Sequence, residues 1–194
     1  MIKYLRKINW LINVGLKMGG EIKAIETYYK GYHFRSRVEA RWAIFFDKLG
    51  IDYEYEVEGF DMEGTRYLPD FYIPSIDRWL EIKGKKMTIE EIKKCEQFCN
   101  RTDNEGIKFS IVIGGPKLAK FNNILGIREF AWEWPSEHYP DNTLFLAEGL
   151  VNKEYYSRFL PMIWKIPGVC DEQLVEAVRS AREARFEFGE TPRI

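Results

Sequence analysis

Apolar and polar positions along the chain change period several times, and each change marks an element. From Ser36 to Leu49 the apolar residues Val38, Trp42, Phe45, Phe46 and Leu49 recur at helical spacing. Ser36 is a good N-cap, because its hydroxyl accepts from an unpaired N–H of the first turn. Gly50 is a natural stop, since glycine takes the left-handed conformation without a Cβ clash. The period then falls to two. Tyr53, Tyr55 and Val57 alternate with Glu54, Glu56 and Glu58 as far as Phe60, the pattern of a strand with one face in solvent. Asp61-Met62-Glu63-Gly64-Thr65 predicts a hairpin turn. Arg66 to Ile73 and Arg78 to Lys83 predict two further strands, parted by Pro74-Ser75-Ile76-Asp77. Thr88 followed by Glu91 forms a capping box. It opens a second helix in which Ile89, Ile92, Cys95, Glu96 and Cys99 recur near helical spacing. Lys108 to Gly114 predicts a buried strand.

The order is helix, three strands, helix, strand. A meander followed by a strand–helix–strand crossover gives an α/β fold, a mixed sheet flanked by helices. The two ends of the chain differ from this core. Residues 19–33 read as a polar, glycine-containing leading segment. Before it, Tyr4, Ile8, Leu11, Ile12 and Gly15 fall on one face of a short amphipathic helix. Asn9 and Asn13 interrupt its apolar run, no small-residue cleavage site follows, and it is too short to span a bilayer. A cytoplasmic protein without membrane attachment is therefore expected. Met18 is an alternative start, because the recognisable domain begins near Ile25. After Gly115-Pro116 the pattern weakens to a strand over Glu129–Trp134 and an aromatic, loop-rich stretch over 135–168. A final helix runs from Asp171, as its N-cap, to Phe188. The expected division is an extension over 1–24, a core over 25–116, and a C-terminal extension over 117–194 packed on that core.

Composition narrows the chemistry. With 45% hydrophobic and 30% charged residues the chain has enough apolar surface to fold, so disorder is not expected for the bulk of it. The net charge of −1 provides no global attraction to a polyanion, so any nucleic-acid binding depends on local basic clusters and bound metal. Cys95, Cys99 and Cys170 are too few for a disulfide framework; Cys95 and Cys99, one turn apart, read as small apolar helix residues. With His33 and His138 as its only histidines, the chain is a poor candidate for a histidine-metal nuclease or a Ser-His-Asp hydrolase. Gly114-Gly115-Pro116 lacks the Gly-Lys-Ser/Thr ending of a phosphate-binding loop.

The chemistry concentrates in Tyr67-Leu68-Pro69-Asp70-Phe71-Tyr72-Ile73 and Trp79-Leu80-Glu81-Ile82-Lys83-Gly84. Each places charge inside a short apolar stretch. Such charge is costly without a partner, and a divalent cation suits two carboxylates best. Strand alternation puts Glu81 and Lys83 on one face and Ile82 on the other. Pro-Asp, a spacer, then Glu-x-Lys resembles the PD-(D/E)xK nuclease superfamily. That resemblance implies a restriction-endonuclease-like core and phosphodiester hydrolysis that depends on Mg²⁺ or Mn²⁺. Asp70, Glu81 and the backbone carbonyl of Ile82 would hold the ion, and Lys83 would lie beside the attacking water and the phosphate. A glutamate on the first helix often completes such a site, and Glu39 is placed to do so. The competing use is local, since Ser36-x-x-Glu39 is also a capping box.

The run from Tyr32 to Ala43, leading into Asp70, Glu81 and Lys83, is also similar to small phage and prophage proteins of this nuclease type, over about residues 25–115. The match to exonuclease-like members is incomplete, because Gln97 is followed one turn later by Arg101 where they have tyrosine. Arg35, Arg37, Arg41, Lys85 and Lys86 are the expected phosphate-binding residues, and Lys93 and Lys94 read as a solvated surface. Arg179, Arg182 and Arg185 either hold a backbone or pair with Glu176, Glu183 and Glu187. The expectation is a Mg²⁺-dependent DNA endonuclease, with a homodimer favoured for double-strand cutting. A non-catalytic nucleic-acid-binding or assembly module of the same fold, or a nuclease acting on RNA, are the alternatives.

Overall fold

The computed structural model describes residues 24–62, 64–85, 87–102, 107–121, 124–132, 159–164 and 168–186. Its first element was not expected. Thr27–Tyr29 (β1) and Tyr32–Phe34 (β2) pair antiparallel within the segment read as loop. Lys30 and Gly31 both have positive φ, at 46° and 85°, the two-residue turn whose twist suits a hairpin. Tyr29 and Phe34 face inward, and the Tyr29 hydroxyl donates to Asp47 at 2.7 Å. That bond ties the hairpin to helix α1, Arg37–Leu49. The helix starts and stops where its caps dictate. Ser36 Oγ accepts from the Glu39 N–H, and Gly50, at φ 64°, donates back to the last turn.

The expected strand over Tyr53–Phe60 is cut short. β3 covers only Glu54–Tyr55, because Glu56 has φ 47° and turns the chain out of the sheet. Phe60–Met62 (β4) and Thr65–Tyr67 (β5) then make a separate hairpin, with Gly64 N–H donating to Asp61 Oδ1 at 3.0 Å. The expected strand Arg66–Ile73 also divides. Pro69 has no N–H to give a ladder, so β5 ends before it and β6 starts after it, at Phe71–Ile73. A 3₁₀ turn over Pro74–Ile76 leads to β7, Arg78–Lys83; α2, Ile89–Thr102, and β8, Lys108–Ile113, follow as expected. Leu118–Phe121 (β9), Ile124–Trp132 (β10) and Phe159–Trp164 (β11) come next. The expected strand at Glu129–Trp134 is thus the end of a longer one. Helix α3, Asp171–Glu183, stops short of Phe188. Cys170, not Asp171, is its N-cap, with its N–H donating to Gln173 Oε1 at 3.0 Å. Asp171 takes the first helical position, where the exposed N–H groups favour negative charge.

Seven strands form one mixed sheet in the order β11–β10–β8–β7–β6–β3, with β9 also paired to β10. Only β7 and β8 are parallel, as their connection through α2 requires. Alternation along β7 feeds two cores. Leu80 and Ile82 join Trp42, Phe45 and Phe46 of α1 and Leu174, Ala177, Val178 and Ala181 of α3. Trp79 joins Cys95, Phe98 and Cys99 of α2, with Met62, Phe109 and Ile111. The protein is therefore α/β, with helices on both faces of a mixed sheet. The strands beyond residue 116 continue this sheet, and α3 shares a core with α1. Among the described residues no helix is long and apolar enough to cross a membrane. The expected amphipathic helix over Tyr4–Gly15, Met18 and the aromatic residues of 135–158 lie outside the described residues.

Phe71 sits at the centre of the first core. Its ring centroid lies 6.0 Å from that of Phe34, 5.4 Å from Phe46, 5.5 Å from Tyr53 and 5.3 Å from Tyr55. Phe71→Ala is expected to destabilise the protein by about 3–5 kcal/mol in urea unfolding. A loss below about 1 kcal/mol would mean that the cluster is not a packing centre.

Candidate metal centre

The site forms where β6 fails to continue. Phe71 pairs with Leu80, so extending the register sets Asp70 opposite Glu81 and Pro69 opposite Ile82. Proline has no N–H, so it cannot donate to the Ile82 carbonyl. The Ile82 N–H is taken instead by the Asp70 side chain, whose Oδ2 accepts at 2.6 Å. The N–H and C=O of a strand residue point to the same edge, so the Ile82 carbonyl faces Asp70 as well. On the other side of Asp70, its backbone carbonyl accepts from Glu56 N–H at 2.9 Å. The far end of β7 is also pinned. Gly114 N–H donates to the Lys83 carbonyl at 2.7 Å, and Trp42 Nε1 of α1 donates to the Gly114 carbonyl at 2.9 Å.

Burial makes this corner electrostatically costly. Asp70, Glu81 and Glu39 are each 6% exposed. Burial pushes the Asp70 carboxyl well above the usual carboxylate range, and the charges of Glu81 and then Glu39 push it further; the Ile82 N–H and Lys83 oppose this. Glu81 Oε1 lies 2.7 Å from Lys83 Nζ, whereas its Oε2 is buried and makes no well-formed hydrogen bond. Burial alone would lower the Lys83 pKa, but Glu81 beside it overrides that and the net shift is upward. Lys83 is thus held as an ammonium. Its Nζ also lies 3.7 Å from Oε1 of Glu91, a carboxylate fixed by accepting from Thr88 N–H at 2.7 Å.

Glu39, the third ligand expected, meets protein donors instead. Its Oε1 accepts from Ser36 Oγ at 2.6 Å, and its Oε2 accepts from Arg35 N–H at 3.0 Å and from the Tyr55 hydroxyl at 2.6 Å. Both oxygens are already engaged, by the Ser36 hydroxyl on one side and by the Arg35 N–H and the Tyr55 phenol on the other, so the expected return bond to the Ser36 N–H is replaced by one to Arg35. Among the described residues no three His, Cys, Asp or Glu side chains converge as a ligand group. The donors that remain are the carboxylates of Asp70 and Glu81 and the Ile82 carbonyl. Such a set fits Mg²⁺ or Mn²⁺, which take hard oxygen ligands; Mg²⁺ is commonly held by one or two carboxylates and keeps several waters. A cation held by both would relieve the raised Asp70 carboxyl and complete the Glu81 oxygen that lacks a well-formed hydrogen bond.

Glu81 and Lys83 open into a cleft of about 750 Å³. Its walls are Arg35 and Glu56 on one side, Arg66 and Tyr67 on the β4–β5 hairpin, and Glu91, Lys94 and Cys95 on α2. Arg35 pairs with Glu56 at 2.6 Å. Tyr67 and Cys95 meet through hydroxyl and thiol at 3.4 Å. Burial, then Glu81, raises the Tyr67 phenol well above its ordinary range and pushes the Cys95 thiol up to about 12, so both stay neutral. Of the five basic residues expected at phosphates, Arg35 alone is a wall of this cleft. Arg37, Arg41 and Lys85 are not, and Lys86 lies outside the described residues. Arg66 and Glu56 carried no local signal that would have assigned them to the site, and Lys94, read as solvated surface, lines it. Glu91 was legible only as a cap. Gln97 is exposed on α2, and Arg179 on α3 pairs with Glu176.

Comparisons with protein-family models, with curated proteins and with solved structures find no significant match to this chain. Function has to be read from the geometry itself.

The Asp70 shift carries a stability consequence. Its folded pKa lies above the ordinary value of 3.8. The folded state therefore binds the proton more tightly, and stability falls as pH rises from about 4 towards the folded pKa. Without divalent ions, Asp70→Asn keeps an acceptor for the Ile82 N–H and removes the charge. The variant is expected to melt higher at pH 7.5, by about 2–4 °C for each kcal/mol relieved. Mn²⁺ should raise the midpoint of the parent and not of the variant. A lower midpoint for Asp70→Asn would show that the buried charge is not under strain.

Proposed function

We propose that this protein is a metal-dependent DNA endonuclease of the PD-(D/E)xK kind, built on a restriction-endonuclease-like core. The observation that carries this reading is the buried Asp70–Glu81 pair, with Lys83 on the same strand face as Glu81. Buried like charges are costly to keep, and a perturbed carboxyl such as that of Asp70 is a mark of functional sites. The location agrees, because ligands of open α/β sheets bind beyond the carboxyl ends of parallel strands, where β7 and β8 finish.

Asp70, Glu81 and the Ile82 carbonyl would hold Mg²⁺ or Mn²⁺. Such an ion supplies a Lewis acid at the scissile phosphate and lowers the pKa of a coordinated water. Lys83 lies beside Glu81 and faces the cleft. As an ammonium it donates to a non-bridging phosphate oxygen and stabilises the charge that builds in the transition state. Being already protonated, it takes no proton from the nucleophile; that proton passes to bulk water in the open cleft, and the leaving oxygen takes one from bulk water. Glu91 keeps a second carboxylate beside the ammonium. Glu39 acts through its neighbours, binding the Tyr55 hydroxyl and fixing the backbone of Arg35 at the cleft wall.

Cleavage of plasmid DNA with Mg²⁺ or Mn²⁺, and its loss in EDTA, is the direct test. Asp70→Ala is expected to abolish cutting, and Lys83→Ala to slow it by about 10²–10³-fold, the scale of removing one transition-state donor. Both variants should keep the parent's cooperative melting. Variants that cut as well as the parent would overturn the assignment. Calorimetry provides a second check, since Mn²⁺ binding should disappear in Asp70→Ala and in Glu81→Ala.

A further inference from the structure

We infer that the DNA backbone passing the metal centre is gripped at a second phosphate site, made by Arg41 of α1 against the Gly114–Gly115 corner at the carboxyl end of β8. The inference rests on the nuclease reading and adds to it a binding site away from the reacting groups. Its first support is where Arg41 stands. A Cβ placed on Gly115 would lie 3.9 Å from Arg41 Cδ, so the arginine stem runs along this corner. One position further on, Trp42 Nε1 donates to the Gly114 carbonyl at 2.9 Å, and Gly114 N–H donates to the Lys83 carbonyl at 2.7 Å. Gly114 is at φ 82°, a conformation that favours glycine. The corner is thus fastened on one side to the helix that carries Arg41 and on the other to the strand that carries Glu81 and Lys83.

The second support is the state of the Arg41 guanidinium. Its Nε is buried without a hydrogen-bond partner, and the side chain forms no ion pair among the described residues. Lys30, Arg35 and Arg179, by contrast, each meet a carboxylate. An arginine that only covers apolar surface keeps its charged head in water. A donor withdrawn from water and left unpaired is costly, and more so on a charged group. The planar guanidinium suits a phosphate, whose oxygens accept from two of its N–H groups together.

The third support is the path from the metal centre. Lys83 pairs with Ile113, so continuing the register sets Gly84 opposite Gly114. Alternation puts Gly84 on the α1 face, where a Cβ would lie 3.9 Å from Val38 Cγ2, while Glu81 and Lys83 share the other face. Gly84 is exposed and has no side chain to bar a route around the end of β7. Neighbouring strands are about 4.8 Å apart. A DNA strand advances about 3.4 Å of axis per phosphate. The phosphates next to one held at Lys83 are therefore spaced on the scale of the step from β7 to β8. Lys85 and Lys117, both exposed, follow Gly84 and Gly115 closely in the chain and add positive charge where the two strands end. In a chain of net charge −1, such a corner is a local attraction for a polyanion.

Fluorescence anisotropy of the full chain with a labelled DNA duplex in EDTA tests this without cutting. Arg41→Gln is expected to weaken binding about tenfold and to make the slope of log affinity against log salt shallower by about 0.9, the loss of one phosphate contact. Arg41→Lys keeps the charge and should keep the parent's slope. A packing role alone would lower the melting midpoint of Arg41→Gln and leave the slope where it was. A second pair of variants leaves Arg41 in place. Gly115→Ala makes only an ordinary contact with the Arg41 stem, whereas Gly115→Asp sets a carboxylate beside the guanidinium. Relative to Gly115→Ala, Gly115→Asp should weaken DNA binding about tenfold or more. An unchanged slope in Arg41→Gln, or equal affinity in the two Gly115 variants, overturns the inference. Inorganic phosphate in a melting assay separates the sources of the anion. Stabilisation by phosphate that needs Arg41, with DNA binding indifferent to Arg41, would make this a small-anion site and overturn the backbone reading. Because the readout needs no divalent ion, it is independent of the cleavage assay. A protein that cuts DNA with an affinity indifferent to Arg41 keeps its nuclease assignment and loses this site; one that fails to cut, yet binds DNA through Arg41, keeps the site and loses the nuclease reading.

Discussion

A carboxylate buried at the point where two paired strands part company is the constraint around which this structure is arranged. Asp70 occupies that point. Pro69 ends the possibility of a ladder, and the Ile82 N–H, which would otherwise bond to the next strand residue, bonds to the Asp70 carboxylate at 2.6 Å. One residue thus closes a gap in the sheet and leaves an adjacent carbonyl without a ladder donor. The surroundings hold it there. Phe71 is locked among aromatic rings, Glu56 donates to the Asp70 carbonyl, and Trp42 and Gly114 fasten the end of β7. A backbone this tightly held keeps buried charge in place that would otherwise relax into solvent.

The charges nearby divide into two groups with different fates. Glu39 is fully satisfied by Ser36, Arg35 and Tyr55, so it behaves as a structural anchor whose field reaches Asp70. Glu81 is half satisfied, with Lys83 on one oxygen and nothing well formed on the other. The difference is geometric. Glu39 stands at a helix start, where backbone donors are plentiful, whereas Glu81 stands mid-strand, where the backbone bonds sideways and leaves its face bare. An incomplete carboxylate beside a strained one is what a hard cation would complete, and this contrast makes Asp70 and Glu81 the better ligands on the proposed reading.

The cleft exists because β3 is interrupted. Glu56, at φ 47°, sends the chain away from the sheet, and the β4–β5 hairpin returns over the α2 face before β6 begins. Arg66 and Tyr67 come to stand over Glu81 by this detour. Backbone strain of this kind persists only where the surroundings over-determine it, and it gathers at functional sites. The parallel β7–β8 pair then sets α2 on the opposite wall, which brings Lys94 and Glu91 to the same space.

Much of the scaffold was legible from local rules. Ser36 and Gly50 bound α1, Thr88 and Glu91 open α2, and the apolar runs of β7 and β8 name two strands, because caps and short-range periodicity act within a few residues. The β1–β2 hairpin was passed over, although Tyr28, Tyr29, Tyr32 and Phe34 flank a Lys30-Gly31 turn; its alternation is short and broken by a mixed aromatic face. Pro69 encodes the division of Arg66–Ile73, since it has no N–H for a ladder. By itself the sequence determined that two carboxylates and a lysine sit among apolar strand residues, since that is a matter of composition and period. Only the tertiary structure decided which oxygens were left over. Glu39 found donors for both oxygens, Glu81 a close one for Oε1, and Arg66 and Lys94 came to line one cleft, because these outcomes depend on contacts between elements far apart in the chain, which no local pattern encodes.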